Sequence, residues 1–267
     1  MKIKVLELFS GIGGMHYALK KVKEHYEEFE FSVFRAIDIS DVANSVYKHN
    51  FPDVEVKGSN ICGLTAKNLE KWGIEAIVMS PPCQPFTRQG NQKDLEDNRS
   101  QPFLHIVNEI LPNVKCLNYI LLENVKGFEK SQAHKVLIDK LSANGFKFKE
   151  FLICPKQIGI PNSRLRYYLI ASKNETFEQG SELILNVENI DSDIVQKFVK
   201  SDKDLSSYLN DENDPFDHEA LLIKDPVLEK YGEVFDIIQP ESTGSCCFTK
   251  AYSKYAEGTG TSQNLFL

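Results

Sequence analysis

The segment Ser80-Pro-Pro-Cys-Gln-Pro-Phe86 places one cysteine among three prolines, and Cys83 is the best candidate in the chain for covalent chemistry. Proline fixes its own backbone φ angle, so this segment is stiff and presents Cys83 in a preset orientation. A cysteine thiolate is a good nucleophile when it is exposed at an electropositive site. The pattern favours nucleophilic catalysis, with a proline-rich loop around a buried cysteine as the alternative.

Three further residues could assist such a nucleophile. Glu123 lies in the apolar segment Leu121-Leu-Glu-Asn-Val125, where burial raises the pKa of a carboxyl towards the value that an acid working near neutral pH needs. Arg164 and Arg166 alternate at the start of a strand-like segment, so we expect both guanidinium groups on one face. Two arginines on one face suit a base carbonyl and a phosphate, whereas a helix-capping carboxylate and an exposed strand-end salt bridge are the structural alternatives.

A glycine-rich turn predicts a second site. The segment Phe9-Ser-Gly-Ile-Gly-Gly14, hereafter the glycine loop, follows a strand-like run and precedes a helical pattern. Glycine allows a close backbone approach to a ligand, and a helix N-terminus offers free amides. Asp38 closes the next strand, where a carboxylate accepts hydrogen bonds from a ribose, and Asn60-Ile61 could line the adenine side. The pattern Gly-x-Gly-Gly favours an adenosyl ligand without phosphates, although NAD and a purely structural turn stay open.

The elements that must position these residues alternate along the chain. Because strand-like segments alternate with helical ones, the sequence predicts a doubly wound α/β fold with a mostly parallel sheet and an antiparallel strand pair at its edge. The predicted strands are Ile3–Phe9, Phe31–Ile37, Val54–Lys57, Ala76–Met79, Tyr119–Leu122, Phe146–Ile153 and Arg166–Ser172. The predicted helices are Gly14–Tyr26, Ser40–His49, Thr65–Trp72, Gln101–Leu111 and Ala133–Asn144. Ligands bind at the carboxyl ends of the strands in such a sheet, which is where Cys83 and Glu123 follow neighbouring strands.

Composition excludes several classes of protein. No run approaches the roughly 20 apolar residues that span a bilayer, and the N-terminus lacks the pattern of a secretory signal. The 6 cysteines form no Cys-x-x-Cys pair, and Phe86 stands where a zinc deaminase has its second cysteine, so we expect no metal site and a reducing compartment. The net charge of −7 arises from an acidic segment at 176–245, while residues 1–175 are slightly basic.

In this order, the motifs resemble the cytosine carbon-5 methyltransferase family over roughly residues 1–175. The resemblance implies a Rossmann-like catalytic domain at 1–175, which binds S-adenosylmethionine, and a small acidic target-recognition region at 176–267. It also implies that Cys83 adds to carbon 6 of cytosine, that Glu123 protonates ring N3, and that Arg164 and Arg166 hold the base. The implied cofactor-binding residues are Phe9, Ser10, Gly11, Ile12, Gly13, Gly14, Asp38, Ile39, Asn60, Ile61, Ser80 and Pro81. The implied substrate-binding residues are Gln84, Asn124, Cys247, Phe248 and Thr249.

A narrower resemblance concerns the substrate. Cys247-Phe-Thr-Lys-Ala-Tyr and Tyr255-Ala-Glu-Gly-Thr-Gly260 are similar to the type-2 DNA methyltransferase homologue branch, which acts chiefly on tRNA. The resemblance implies a cytosine in the anticodon loop of aspartate tRNA as the target. The Gly-Asn-Ser motif that ends the family's sequence does not occur before Leu267. The alternatives are a DNA cytosine-5 methyltransferase and a catalytically impaired nucleic-acid-binding homologue. We expect a monomer without a membrane association, in the cytoplasm, the nucleus or both.

Overall fold

The computed structural model describes residues 2–82, 100–174, 177, 183–185, 204–208, 223, 225–246 and 261–263. The chain divides into two compact units. The first unit contains residues 1–152 and 166–185, and the second contains residues 153–165 and 186–267.

The first unit is built on a seven-stranded sheet. Its strands are β1 (Lys2–Leu8), β2 (Glu30–Asp38), β3 (Glu55–Gly58), β4 (Ala76–Met79), β5 (Tyr119–Val125), β6 (Lys147–Ile153) and β7 (Arg166–Ser172). Their spatial order is β3-β2-β1-β4-β5-β7-β6. The pairs from β3 to β5 are parallel, and β7 pairs antiparallel with β5. The mostly parallel, doubly wound α/β sheet that the sequence predicts is therefore confirmed, and β7 lies between β5 and the edge strand β6.

Helices follow the strands of the parallel part. They are α1 (Gly14–His25), α2 (Asp41–Asn50), α3 (Ala66–Trp72), α4 (Gln101–His105) and α5 (Gln132–Ala143). Ser40 precedes α2 and its hydroxyl accepts a hydrogen bond from the Ala43 N–H at 3.3 Å, so it caps the helix as serine commonly does. The predicted helix Gln101–Leu111 is an α-helix only to His105 and continues as a π-helical turn over Ile106–Ile110.

Both faces of the sheet are covered, as parallel sheets require. On one face of β1 and β4, Val5, Ala76 and Val78 form a cluster against which Met15 and Leu19 of α1 pack. On the other face, residues such as Leu6 and Leu8 are fully buried. Since strand residues alternate between faces, Glu7 points to the same side as Val5 and thus into the layer between the sheet and α1.

The edge strand β3 is short and charged. It has four residues, and its Glu55 carboxylate accepts hydrogen bonds from Arg35 of β2, with Arg35 Nη2 to Glu55 Oε2 at 2.6 Å. Lys57 Nζ lies 3.1 Å from the other oxygen of Glu55. These ion pairs place fixed charges along the outer strand.

The opposite edge strand, β6, has a backbone neighbour. The Ile184 N–H donates to the Glu150 carbonyl at 2.9 Å, and the Leu152 N–H donates to the Ile184 carbonyl at 2.8 Å. Ile184 and Phe151 thereby form an isolated parallel bridge. This contact explains why residues up to 185 belong to the first unit, beyond the domain boundary expected at residue 175.

The second unit contains a small parallel strand pair and a helix. Its elements include α6 (Asp225–Tyr231), β8 (Asp236–Ile238) and β9 (Thr261–Gln263). The Ser163 N–H donates to the Ser245 carbonyl at 2.7 Å, and Asn162 Nδ2 donates to Ser245 Oγ at 3.1 Å. These bonds explain why residues 153–165, which the sequence places in the catalytic domain, cluster with the second unit. Within the described residues, no helix is long and apolar enough to cross a membrane.

Candidate functional site

The carboxyl ends of four parallel strands bring most of the predicted cofactor-binding residues to one edge of the first unit. The glycine loop follows β1, Asp38 ends β2, Asn60 and Ile61 follow β3, and Ser80 follows β4. In this strand order, β1 and β4 are neighbours at the point where the connections reverse direction, which is the usual place for a ligand crevice.

The backbone of the glycine loop is strongly turned. Gly11 and Gly13 have φ angles of 52° and 97°, and Phe9 is the non-glycine residue in the described chain with a positive φ, at 52°. Such a conformation costs a bulky residue about 1–3 kcal/mol and persists only where the surroundings enforce it. The strained residue thus lies where the sequence predicts a ligand.

Gly13 also makes a contact that excludes any side chain. A Cβ atom on Gly13 would lie 2.4 Å from Phe51 Cε2 and 3.1 Å from Tyr47 Cε2. Phe51 and Tyr47 are both buried, so neither ring can move aside easily. The absence of a side chain at Gly13 therefore allows the loop to pack directly on the aromatic residues of and after α2.

We expect Gly13→Ala to lower the free energy of unfolding by about 3 kcal/mol, since it combines a positive φ with overpacking. Urea denaturation of the free protein measures this loss. Gly14→Ala is the matched control, because a Cβ there meets nothing within 4 Å and Gly14 has no positive φ. Equal stabilities of the two variants would contradict the packing argument.

Asp38 holds the glycine loop from the neighbouring strand. Its Oδ2 accepts a hydrogen bond from the Gly11 N–H at 2.9 Å, and its Oδ1 accepts one from the Ser40 N–H at 2.8 Å. Each carboxylate oxygen can accept a second bond, so a ribose hydroxyl remains chemically compatible with Asp38. Binding of a ribose by Asp38 stays a prediction.

The surroundings of the glycine loop suit a ligand that has both polar and apolar parts. Ser10 Oγ is buried and has no hydrogen-bond partner among the described residues, and Gly13, at the N-cap of α1, has no side chain that could cap the helix. Ile39, directly after Asp38, is 82% exposed, whereas Ile61 is buried. Asn60 accepts a hydrogen bond from the Cys62 N–H at 3.0 Å and so fixes the turn at Ile61. The N-terminus of α1 and the unpartnered hydroxyl of Ser10 fit the amino-acid end of a ligand, and Ile39 fits an aromatic ring.

The segment after β4 is tied to both neighbouring strands. Ser80 Oγ donates to the Phe9 carbonyl at 3.0 Å, which connects this segment to the glycine loop. The buried Asn124 of β5 donates from Nδ2 to the Pro81 carbonyl at 3.4 Å. Asn124, predicted to bind substrate, therefore supports the backbone that leads to Cys83.

Glu123 and Arg166 form an ion pair across β5 and β7. Arg166 Nε lies 3.2 Å from Glu123 Oε1, and both side chains are partly buried. A carboxylate beside a guanidinium at a strand end can bind a polar heterocycle through an acceptor and a donor held side by side. The predicted rise in the pKa of Glu123 stays a prediction.

Arg164 does not share the strand of Arg166. Strand β7 begins at Arg166, so the alternation argument that placed both guanidinium groups on one face is wrong. The Arg164 N–H donates to Cys154 Sγ at 3.3 Å within the second unit. Five predicted site residues lie outside the described residues: Cys83, Gln84, Cys247, Phe248 and Thr249.

One buried polar group beside the glycine loop was missed by the sequence-based reasoning. Glu7 is fully buried on β1, and its Oε2 accepts a hydrogen bond from the Tyr47 hydroxyl at 2.6 Å. Burial raises the pKa of Glu7 to about 7, and the bonds from Tyr47 and the His16 backbone offset this only in part. The signal for this group was a carboxylate within the apolar run Val5-Leu-Glu-Leu-Phe9.

Glu7 makes stability depend on pH. Its pKa is about 4.5 when exposed and about 7 in the folded chain, so its cost to folding is absent in acid and complete above pH 7. We expect the stability of Glu7→Gln relative to the wild type to rise by about 2 kcal/mol between about pH 5 and about pH 8. Denaturation of both proteins across this range measures the difference.

The neighbouring groups do not obscure that comparison. Burial, with a smaller effect of Lys20, lowers the pKa of His16 to about 4, so His16 makes stability rise with pH. This contribution is common to both proteins and cancels in the difference. The pKa of Tyr47 is raised by burial and by Glu7, so Tyr47 does not ionise in this range. A difference that is independent of pH would contradict a buried ionisable Glu7.

Comparison with known sequences identifies the protein family to which this chain belongs. Residues 3–264 match the sequence profile of C-5 cytosine-specific DNA methylases. The chain belongs to this family. This methyltransferase is 44% identical over 264 residues to a tRNA (cytosine(38)-C(5))-methyltransferase of Spodoptera frugiperda, with 98% of the chain and 74% of that protein covered. It is 37% identical to the human protein of the same name, with 97% of the chain and 78% of that protein covered.

Solved structures of Dnmt2 proteins share the fold of this methyltransferase. A variant of the S. frugiperda protein has a TM-score of 0.80 at 43% identity, with coverage of 97% of this chain and 73% of the solved one. The Schizosaccharomyces pombe Dnmt2 methyltransferase has a TM-score of 0.81 at 36% identity, with coverage of 100% and 77%. Among the described residues of the methyltransferase, no group of three or more His, Cys, Asp or Glu side chains could hold a metal ion.

Proposed function

We propose that this methyltransferase modifies carbon 5 of a cytosine in tRNA, with the anticodon-loop cytosine of aspartate tRNA as its target. The observation that carries the proposal is the ion pair between Glu123 and Arg166, which lies at the same edge of the sheet as the glycine loop. The names of the S. frugiperda and human relatives support tRNA as the substrate.

Carbon 5 of cytosine is too poor a nucleophile to accept a methyl group directly. In the proposed mechanism, the Cys83 thiolate adds to carbon 6 while Glu123 donates a proton to ring N3, and carbon 5 becomes enamine-like. After methylation, the carbon-5 proton is released to water, the proton on N3 returns to Glu123, and the bond between Cys83 and carbon 6 breaks with release of the thiolate, so the ring becomes aromatic again. Arg166, which is paired with Glu123, would hold the base and the covalent adduct during these steps.

S-adenosylmethionine would supply the methyl group. The glycine loop and the N-terminus of α1 would hold its amino-acid end, Asp38 its ribose, and Ile39 with Ile61 its adenine. The buried, unpartnered hydroxyl of Ser10 and the exposed side chain of Ile39 support this placement.

A target base must leave its stack before carbon 6 can meet a thiolate. A base in a tRNA loop is already unpaired, so the cost of extruding it is lower than in duplex DNA. This difference favours tRNA as the substrate of an enzyme with a small recognition region.

A DNA cytosine-5 methyltransferase is the second candidate, because the 35% identical relative in Dictyostelium discoideum bears the name DNA (cytosine-5)-methyltransferase. Methyl transfer to tRNA and to duplex DNA, measured side by side, distinguishes the two. We expect transfer to tRNA, and transfer to DNA alone would overturn the proposal.

Adduct formation tests the chemistry separately from the substrate. Fluorine at carbon 5 blocks the elimination step, so tRNA containing 5-fluorocytosine should become covalently attached to the protein through Cys83. Denaturing electrophoresis followed by peptide mass spectrometry detects the adduct. Turnover of normal tRNA without any trapped adduct would exclude the covalent route.

A further inference from the structure

A single hydroxyl connects the two sides of the glycine loop. The loop follows Glu7 of β1 and precedes His16 of α1, and both side chains reach Tyr47 of α2. The Tyr47 hydroxyl donates to Glu7 Oε2 at 2.6 Å and lies 3.0 Å from His16 Nδ1. When Glu7 is ionised, the one proton of the hydroxyl goes to Glu7, and the hydroxyl oxygen can accept an N–H from the Nδ1–H tautomer of His16. Tyr47 therefore bridges the strand before the loop and the helix after it.

Tyr47 and its neighbour Phe51 also pack against the glycine loop. Phe51 and Tyr47 fill the space where a side chain of Gly13 would lie. The His16 ring stacks on Phe51, with ring centroids 3.8 Å apart and an angle of 15° between the planes. Any shift of Tyr47 would thus move the surface against which the loop packs as well as the hydrogen bonds at its ends.

Burial makes the loss of either hydrogen bond energetically costly. Tyr47 is fully buried, and Glu7 Oε1 makes no hydrogen bond of normal geometry to a described residue. When Glu7 is ionised, its hydrogen bond from Tyr47 is stronger than one between neutral groups, and losing either partner leaves the other unsatisfied. Glu7 can therefore hold the Tyr47 ring in one position and orientation.

We propose that Tyr47 is a positioning residue for the methyl donor, because its hydroxyl fixes the glycine loop between Glu7 and His16 in the conformation that binds the cofactor. This inference rests on the proposed use of the glycine loop for S-adenosylmethionine. Tyr47 contacts the loop from within the core and acts through the loop backbone, so its effect falls on cofactor affinity and not on the chemical step.

The expected change in cofactor affinity depends on the fraction of molecules in which the glycine loop has the conformation that binds the cofactor. When only a fraction of molecules has the binding conformation, the apparent dissociation constant rises by the inverse of that fraction. Loss of a hydrogen bond to a buried carboxylate is large enough to reduce this fraction about tenfold. Tyr47→Phe should accordingly weaken cofactor binding by about tenfold while the KM for tRNA and kcat stay near the wild-type values.

The chain offers a closely matched control in Tyr167. It is also fully buried, and its hydroxyl donates at 2.7 Å to Glu150, which in turn lies 2.6 Å from His134 Nε2. Tyr167→Phe removes the same kind of bond on β7, away from the glycine loop. Both variants should lose thermal stability, but only Tyr47→Phe should lose cofactor affinity.

Titration calorimetry with S-adenosylmethionine, combined with thermal unfolding of each free protein, tests the proposal. Unchanged affinity in Tyr47→Phe, or an equal loss in Tyr167→Phe, would overturn it. If Tyr47→Phe does not fold, His16→Phe keeps a ring beside Phe51 but removes the N–H donor, and a smaller loss of affinity is expected. Unchanged affinity in that variant also overturns the proposal. A wild-type protein without cofactor binding would instead refute the proposed function.

Discussion

Cys83→Ala should lower methyl transfer to tRNA by at least about a thousandfold, because no other group can replace the covalent bond to carbon 6. The segment that leads to Cys83 is anchored by Ser80 on the glycine loop and by Asn124 on β5. The two hydrogen bonds hold Ser80 and Pro81, which precede Cys83, and neither involves the Cys83 side chain. We therefore expect the affinity for S-adenosylmethionine to change by less than about twofold, as measured by calorimetry.

Cys116→Ala is the matched control for this substitution. Cys116 is partly buried before the amino end of β5, where its Sγ–H donates to the Ile74 carbonyl at 3.3 Å. Its replacement removes a thiol far along the strand from the predicted site and should leave turnover near the wild-type level. Retained turnover in Cys83→Ala would remove Cys83 from the mechanism, whereas inactive Cys116→Ala would show that thiol loss acts through folding.

Glu123→Gln is expected to lower kcat for tRNA by about 10²- to 10⁴-fold, the usual range for the loss of a general acid. Glutamine keeps the length of the side chain and can accept a hydrogen bond from Arg166, but it cannot supply the proton that ring N3 needs. Arg166 Nε lies 3.2 Å from Glu123 Oε1, so the variant also replaces this ion pair with a contact to a neutral amide. Single-turnover kinetics at saturating cofactor measure the chemical step directly.

The corresponding control is Glu109→Gln, at an exposed position of the π-helical turn. It changes the net charge by the same amount without touching β5. A kcat for Glu123→Gln within threefold of the control, on the order of experimental scatter, would exclude Glu123 as the proton donor.

The strands of the first unit were predictable because their apolar runs are short, uniform and separated by helical patterns. Arg166–Ser172 and Ala76–Met79 agree with the observed bounds, and Tyr119–Leu122 extends by three residues to Val125. This extension places Glu123 inside a strand and opposite Tyr168 of β7. The residue types Glu and Asn near the end of a strand do not show whether they belong to the strand or to the turn after it.

The features that the sequence did not predict depend on contacts between residues far apart in the chain. Glu7 and Tyr47 are 40 positions apart, and no local pattern indicates that one hydrogen bond joins them. Arg164 has the alternating spacing of a strand residue, but the pairing of Ser163 with Ser245 draws its segment into the second unit. Alternating spacing predicts that two side chains share a face only when both residues lie in a strand.

The two edges of the sheet have a consequence for self-association. An open edge strand with free backbone groups can recruit a strand from another molecule, which is a common start of aggregation. The outer strand β3 is only four residues long and carries the ion pairs of Glu55, while Ile184 occupies backbone groups of β6 at the other side. Charge at one edge and a backbone cover at the other make strand addition unfavourable. We therefore expect this sheet to resist fibril-like assembly in concentrated solution.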